Sequence, residues 1–272
     1  MSAAVPRPAA IRVAGIGATS AAIATKTLRA FLRDAQVLVP TLLQGVLFFL
    51  VFRFVFAGAI DSGPLAYVDY MTPGIVTTAI LFASTQAAVT VAYENTGGFT
   101  DRVLSLPVHR VGITLGRIGA HATTVTAAAT TTLLAAVLTG FRPHAPTGQL
   151  AAAAGILILY AIAFAALFVA LGSAASTPAA AQGLAFIAIP LTFVSSAIVP
   201  TTTMPSWLAA AADHQPLTPM IDTLRSLTQS DVIGNEPSTT AVALGWALGV
   251  TLGSVIAATA LAARGAQPAR IR

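Results

Sequence analysis

The sequence predicts an all-α membrane protein with six transmembrane helices and both termini cytoplasmic. Composition is the first observation: of 272 residues 56% are hydrophobic and 8% charged, with a mean hydropathy of +0.82. So little charge cannot cover the surface of a water-soluble chain of this length. Second, six apolar runs each reach the ~20 residues that a span requires. Third, eleven of the fourteen Lys and Arg residues fall on one side of those runs, which the positive-inside rule makes the cytoplasm.

Residues 1–36 form a basic lead-in carrying Arg7, Arg12, Lys26, Arg29 and Arg33. Its apolar stretches are short and interrupted by Arg7, Pro8 and Arg12, so no secretory signal is expected. From residue 20 to 36 the pattern turns helical. Ile23, Thr27, Leu28 and Phe31 share one face and the cations another, which predicts a helix lying in the inner interface before the chain turns in at Pro40. A solvated basic lead-in is the plainer alternative.

The transmembrane domain is expected over 37–263, with spans near 37–60, 71–93, 118–140, 150–172, 179–199 and 240–263, and a cytoplasmic tail over 264–272. The third span is rich in threonine, which lipid tolerates because each hydroxyl can bond a carbonyl of its own helix. The cytoplasmic side collects Arg102, Arg110, Arg117, Arg264, Arg270 and Arg272 besides the lead-in, against only Arg142 and Arg225 outside. The outer loops carry Asp61, Asp69, Asp213, Asp222, Asp231 and Glu236. Between 201 and 239, Pro205 to Leu208 with the following alanines predicts a short helix, Trp207 being suited to the headgroup level. Thr218 as cap and Pro219 at the first helical position predict a second. Either a pair of helices dipping into the outer leaflet or an ordinary surface loop fits these residues.

Two polar residues stand within spans. Arg53 is expected to snorkel outward toward Asp61, or else to line a substrate path. His121, one turn past Arg117, suits a helix–helix hydrogen bond or, alternatively, a place on that path. Gly245, Gly249 and Gly253 form a small-residue stripe on the sixth span, predicted to pack within the bundle, a subunit interface being the alternative.

Catalytic machinery is lacking in the sequence. With no cysteine, disulfides, thiolate metal sites and thiol nucleophiles are excluded. His109, His121, His144 and His214 are scattered without metal-ligand spacing, so no metal is expected. There is no H-E-x-x-H pair, no G-x-S-x-G elbow and no G-x-x-x-x-G-K-[ST] phosphate loop, the one lysine being Lys26. The chain has no recognisable means of hydrolysing a nucleotide and no motif for nucleic acid.

The polar insert 94–117 is the segment that asks for a partner. Gly97 and Gly98 can break the helix leaving the second span. Thr100 and Asp101 can cap a short helix over Asp101 to Ser105, stopped by Pro107. Phe99, Val103 and Leu106 would face the membrane interface; Asp101, Arg102 and Arg110 would face the cytosol. Such a helix could pass a push from a cytosolic partner into two spans, whereas a simple interfacial loop would only obey the charge rule.

The run from Tyr70 to Ile75 (YMTPGI), the segment GGFTDRVLSLPVHR and the later Leu115-Gly116-Arg117 together resemble the integral permeases of type-two ABC exporters, nearest to the daunorubicin-resistance-type drug exporters. The likeness extends from Leu28–Arg33 to the sixth span and includes the proline-leucine segment from Gln215 to Leu227. It implies pairing with a second permease copy or paralogue and docking of two cytosolic ATP-binding cassette subunits that handle ATP and magnesium. It implies a coupling helix at Gly97, Gly98, Phe99, Asp101, Arg102, Leu104, Ser105, Pro107 and Arg110, and outer helices over 201–239 that help close the exit. The chain departs from the family's usual pattern at Leu104, where a second basic residue is common, and at His121, where an acid is common. The function so implied is a permease moving an amphipathic drug, lipid or glycolipid outward across a bacterial plasma membrane. The alternative is a secondary transporter driven by an ion gradient, which calls for acids or broken helices at mid-membrane.

Overall fold

The computed structural model describes residues 14–56, 65–234 and 237–264. Arg7, Arg12, Asp61, Glu236, Arg270 and Arg272, which entered the charge count, lie outside the described residues, as do most of the expected tail and the proposed partner of Arg53. Every named element among the described residues is a helix, with a lone bridge between Ala14 and Val108.

Among the described residues five helices are long and apolar enough to cross a membrane: α2 (Ala35–Val51, continued by a π-helical turn Phe52–Phe56), α3 (Tyr67–Thr96), α5 (Arg110–Leu138), α6 (Thr147–Ala174) and α12 (Pro237–Arg264). Ahead of them runs α1 (Ile16–Arg33), and α4 (Phe99–Leu104) lies between α3 and α5. The chain enters α2 earlier than Pro40 indicated. Asp34 ends α1 and caps α2 by accepting a 3.0 Å hydrogen bond from the Gln36 amide, and Pro40 is carried inside the helix.

The expected fifth span is the main departure. Residues 179–199 form two short helices, α7 (Pro178–Ala185) and α8 (Ala188–Phe193), followed by turns to Pro200. Pro190 has no amide hydrogen to give to the Phe186 carbonyl four residues back. That carbonyl accepts from Ile189 instead, at 3.1 Å, so the helix breaks where the ladder loses its partner. Outside lie α9 (Ser206–Asp213), α10 (Leu217–Thr228) and α11 (Ser230–Ile233). Thr218 therefore sits inside α10 rather than capping it, the helix starting from Pro216.

α3 is the axis of the bundle, buried on every face from Tyr67 to Leu81 and packed by α2, α5, α6, α7 and α10. Small residues permit this enclosure. A methyl on Gly172 of α6 would stand 2.3 Å from the Ala88 carbonyl oxygen, so the two backbones touch there. Hydroxyls along α3 turn inward on their own helix: Thr72, Thr77, Thr78 and Ser84 each donate to the carbonyl four residues earlier at 2.6–2.9 Å. The threonines of α5 do the same at Thr123, Thr126, Thr130 and Thr132, while Thr131 also reaches the Leu42 carbonyl of α2 at 3.0 Å. A threonine-rich span is thus compatible with an apolar surrounding because its polar atoms are satisfied locally.

Candidate functional site

α1, the C-terminal end of α3 and the N-terminal end of α5 converge on the insert. α3 stops at Thr96, Gly97 closes it, and Gly98 adopts φ 69°, the left-handed conformation that a side chain would strain. α4 then starts at Phe99, two residues before the expected Asp101. No side chain caps it, because the N-cap is Gly98; Thr100 falls inside the first turn, its hydroxyl donating to Asn95 Oδ1 at 2.6 Å and accepting from Arg117 Nη2 at 2.8 Å. Arg102 folds back on the hinge, its Nε and Nη2 donating to the carbonyls of Gly98 (3.2 Å) and Gly97 (3.1 Å). Ser105 closes the helix by donating to the Arg102 carbonyl at 2.8 Å. Asp101, Arg102, Ser105, Leu106, Pro107 and Arg110 are exposed, while Phe99, Val103 and Leu104 are half-buried. Leu106 is thus 57% exposed on the described surface, unlike Phe99 and Val103 beside which it was placed. It lies past the end of the helix. The Pro107 carbonyl accepts from the Ala14 amide at 2.8 Å, fastening the start of α1 to the loop behind α4.

Beneath the hinge lies an ion network that the charge pattern did not reveal. Glu94, near the end of α3, pairs through one oxygen with Lys26 of α1 and through the other with Arg117 of α5, whose Nε donates at 2.9 Å. The side chains of Glu94 and Arg117 are only 9% and 7% exposed. Burial of either charge alone would be costly, so each holds the other in place. Lys26 also stands 4.0 Å over the Phe99 ring, a cation–π contact that ties α1 to α4. The helices meet closely: a methyl on Gly116 would lie 2.6 Å from the Ser20 carbonyl oxygen, and one on Gly112 2.7 Å from Thr19 Cβ. α4 is thereby linked to α1, α3 and α5 through Lys26, Glu94, Arg117 and Thr100. In sequence, Glu94 and Arg117 read as the two ends of the polar insert and Lys26 as one cation of a lead-in. The one available signal was an acid at the tip of an otherwise uncharged run.

The other expected residues are placed apart. Arg53 is at the outer end of α2, its guanidinium 5.7 Å from the Phe54 ring and beside the turn at Gly140. His121 is buried among α1, α2, α3 and α5, on a cavity of about 150 Å³ bordered by Lys26, Gln86 and Glu94. Its Nε2 has no hydrogen-bond partner among the described residues, so the helix–helix bond expected of it is not formed there. Leu104 and Asp101 edge a separate cavity of about 220 Å³ behind α4. The glycine stripe of α12 does not pack within the described bundle: a methyl on Gly245, Gly249 or Gly253 would meet nothing within 4 Å. Ala243, Ala247, Ser254 and Ala258 form the packed face instead, alanine and serine being small enough for close approach.

At the opposite end Arg225 of α10 is 7% exposed. It donates to the carbonyls of Tyr70 (3.2 Å) and Ser196 (2.9 Å) and to Asp222 Oδ1 (2.7 Å), and stands 4.0 Å over the Tyr70 ring. Burial raises the pKa of Asp222 above the ordinary carboxylate value, against the pull of Arg225 and of the Ser196 hydroxyl, which lower it. Sequence reading counted Arg225 only as an outer charge.

The ABC-2 type transporter family model matches residues 20–228, from within α1 through α10 and including Lys26, Glu94, Thr100 and Arg117. The chain belongs to the ABC-2 type transporter family. Two similar curated proteins are the daunorubicin resistance ABC transporter permease protein DrrB1 of Streptomyces coeruleorubidus, 26% identical over 71% of this chain and 68% of the relative, and the probable doxorubicin resistance ABC transporter permease protein DrrC of Mycobacterium tuberculosis, 25% identical over 74% of this chain and 73% of the relative. This ABC-2 protein is a multi-pass transmembrane permease subunit, and ATP hydrolysis belongs to a separate subunit of the transporter. Members of its family cooperate with ABC ATPase subunits.

Proposed function

We propose that this permease exports an amphipathic drug, lipid or glycolipid across a bacterial plasma membrane, driven by cytosolic cassette subunits that bind ATP and magnesium and seat on α4. In this reading Gly97 and Gly98 are the hinge, Asp101, Arg102, Ser105, Pro107 and Arg110 present the contact surface, and Phe99 and Leu104 carry the load inward. A second copy or a paralogue completes the pathway, and the proline-broken α7–α8 pair with α9 and α10 borders its outer end. The observation that carries the reading is the Lys26–Glu94–Arg117 network under α4, in which Glu94 and Arg117 are buried and which makes a surface helix mechanically continuous with three others. The resistance named for the relatives supports amphipathic cargo.

The test is transport into inside-out vesicles containing the permease and its co-purified ATPase. Asp101→Ala with Arg102→Ala is expected to leave membrane insertion and ATP hydrolysis in place and abolish ATP-dependent uptake. Normal uptake by that variant would refute the contact surface. Uptake that ignores ATP and collapses with the proton or sodium gradient would instead establish a secondary transporter. Against that alternative, Glu94 sits at the cytoplasmic tip of α3 and is already paired with two cations.

A further inference from the structure

One flank of α1 carries Lys26, Arg29 and Arg33, all exposed. Helical spacing sets them in a single strip about 10 Å long, running from the α4 junction toward the Asp34 elbow. Lys26 is paired with Glu94, whereas no carboxylate among the described residues forms an ion pair with Arg29 or Arg33. The side of α1 that faces α5 is filled by Thr19, Ile23 and Thr27. The remaining side is apolar: Leu28 is half-buried and Leu32 is 65% exposed.

A helix with an uncovered leucine edge and an unneutralised cationic edge calls for a partner that offers hydrocarbon and anions side by side. An acidic protein surface supplies the second and leaves Leu32 in water. The inner leaflet supplies both. We propose that α1 binds anionic phospholipid of the inner leaflet, with phosphate groups on Arg29 and Arg33 and acyl chains over Leu28 and Leu32.

Lys26 connects that site to the junction. With lipid phosphate held by Arg29 and Arg33, the Lys26 ammonium stays committed to Glu94 and to the Phe99 ring, and α1 is fixed against the glycine face of α5. Anionic lipid then stiffens the path from α4 into the spans. This second step rests on the proposed transport function; the lipid site does not.

The binding test therefore uses the permease alone. Full-length protein is reconstituted in phosphatidylcholine nanodiscs with and without phosphatidylglycerol, and the lipid retained after extraction is measured by mass spectrometry. The parent is expected to retain phosphatidylglycerol selectively and to lose it in high salt, as an electrostatic site must. Arg29→Gln with Arg33→Gln is expected to weaken retention by about 30-fold, with unfolding temperature unchanged, and Arg29→Lys with Arg33→Lys to restore it. Equal retention of the two lipids by the parent, retention that survives high salt, or undiminished retention by a folded glutamine variant would each overturn the site. So would a glutamine variant that keeps its lipid but no longer holds its ATPase subunit, which would assign the strip to the protein partner. In the full transporter, phosphatidylglycerol is expected to raise transport per ATP hydrolysed in the parent and not in the glutamine variant. Its absence with lipid binding intact would overturn the coupling step alone.

Discussion

The two ends of the bundle each bury an arginine, and they hold it by different means. At the cytoplasmic junction Arg117 is matched by a carboxylate from another helix, and that carboxylate is shared with a third helix through Lys26. At the outer end Arg225 is gripped mainly by backbone carbonyls, at Tyr70 and Ser196, with its acid only three residues away on the same helix. Carbonyl oxygens cannot leave without moving a backbone, whereas an ion pair can exchange partners. The inner junction is therefore suited to rearrangement under load and the outer cap to holding α10 in place over α3.

Removing the shared acid of the inner network should produce the largest effect. Glu94→Ala leaves Arg117 buried without its counter-charge and is expected to destabilise the folded permease by about 3–5 kcal/mol, read as a fall in unfolding temperature in detergent. A loss no greater than that of an exposed residue would mean that Glu94 and Arg117 are not buried within the protein. At the outer end, Arg225→Gln should cost about 2–3 kcal/mol, because hydrogen bonds from a charged donor are the stronger kind. Arg225→Lys should recover only part, since an ammonium cannot fork between Tyr70 and Ser196. Full recovery with lysine would make the outer cap an ion pair like the inner one and erase the contrast.

Packing offers a matched pair. A methyl on Gly74 would lie 2.1 Å from the Ala197 carbonyl oxygen at the outer end, and one on Gly116 2.6 Å from the Ser20 carbonyl oxygen at the inner end. Gly74→Ala is expected to cost about 1–3 kcal/mol as overpacking against a fixed backbone. Gly116→Ala should cost less stability and more transport, because α1 can be displaced. Equal stability losses would argue against a looser inner end. The smallest effect is expected for Lys26→Met, about 1 kcal/mol or less, since Lys26 is 42% exposed; the readout is again unfolding temperature.

Much of the bundle was legible in the sequence. Spans at 71–93, 118–140, 150–172 and 240–263 correspond to α3, α5, α6 and α12 because long uncharged runs have no other stable form in lipid. The hinge was legible at Gly97 and Gly98, since paired glycines after an apolar run mark where a helix can turn. The broken 179–199 segment was not, although Pro190 stood within it: hydropathy sums residues and ignores which carbonyl loses its donor. Gly245, Gly249 and Gly253 misled for a related reason. Periodicity puts the three on one face but says nothing of which face the bundle covers.

Composition thus determined by itself that the chain is an all-helical membrane protein, because the bilayer allows few alternatives, and charge sidedness supplied the expectation that its polar insert is cytoplasmic. The family pattern marked the segment 97–110 for which coupling is proposed. Only the tertiary structure decided that Lys26, Glu94 and Arg117, separated by 68 and 23 residues, form one network beneath that segment, and that α12 turns its alanines rather than its glycines inward. Such pairings depend on how helices rotate and cross, which no single helix's sequence specifies.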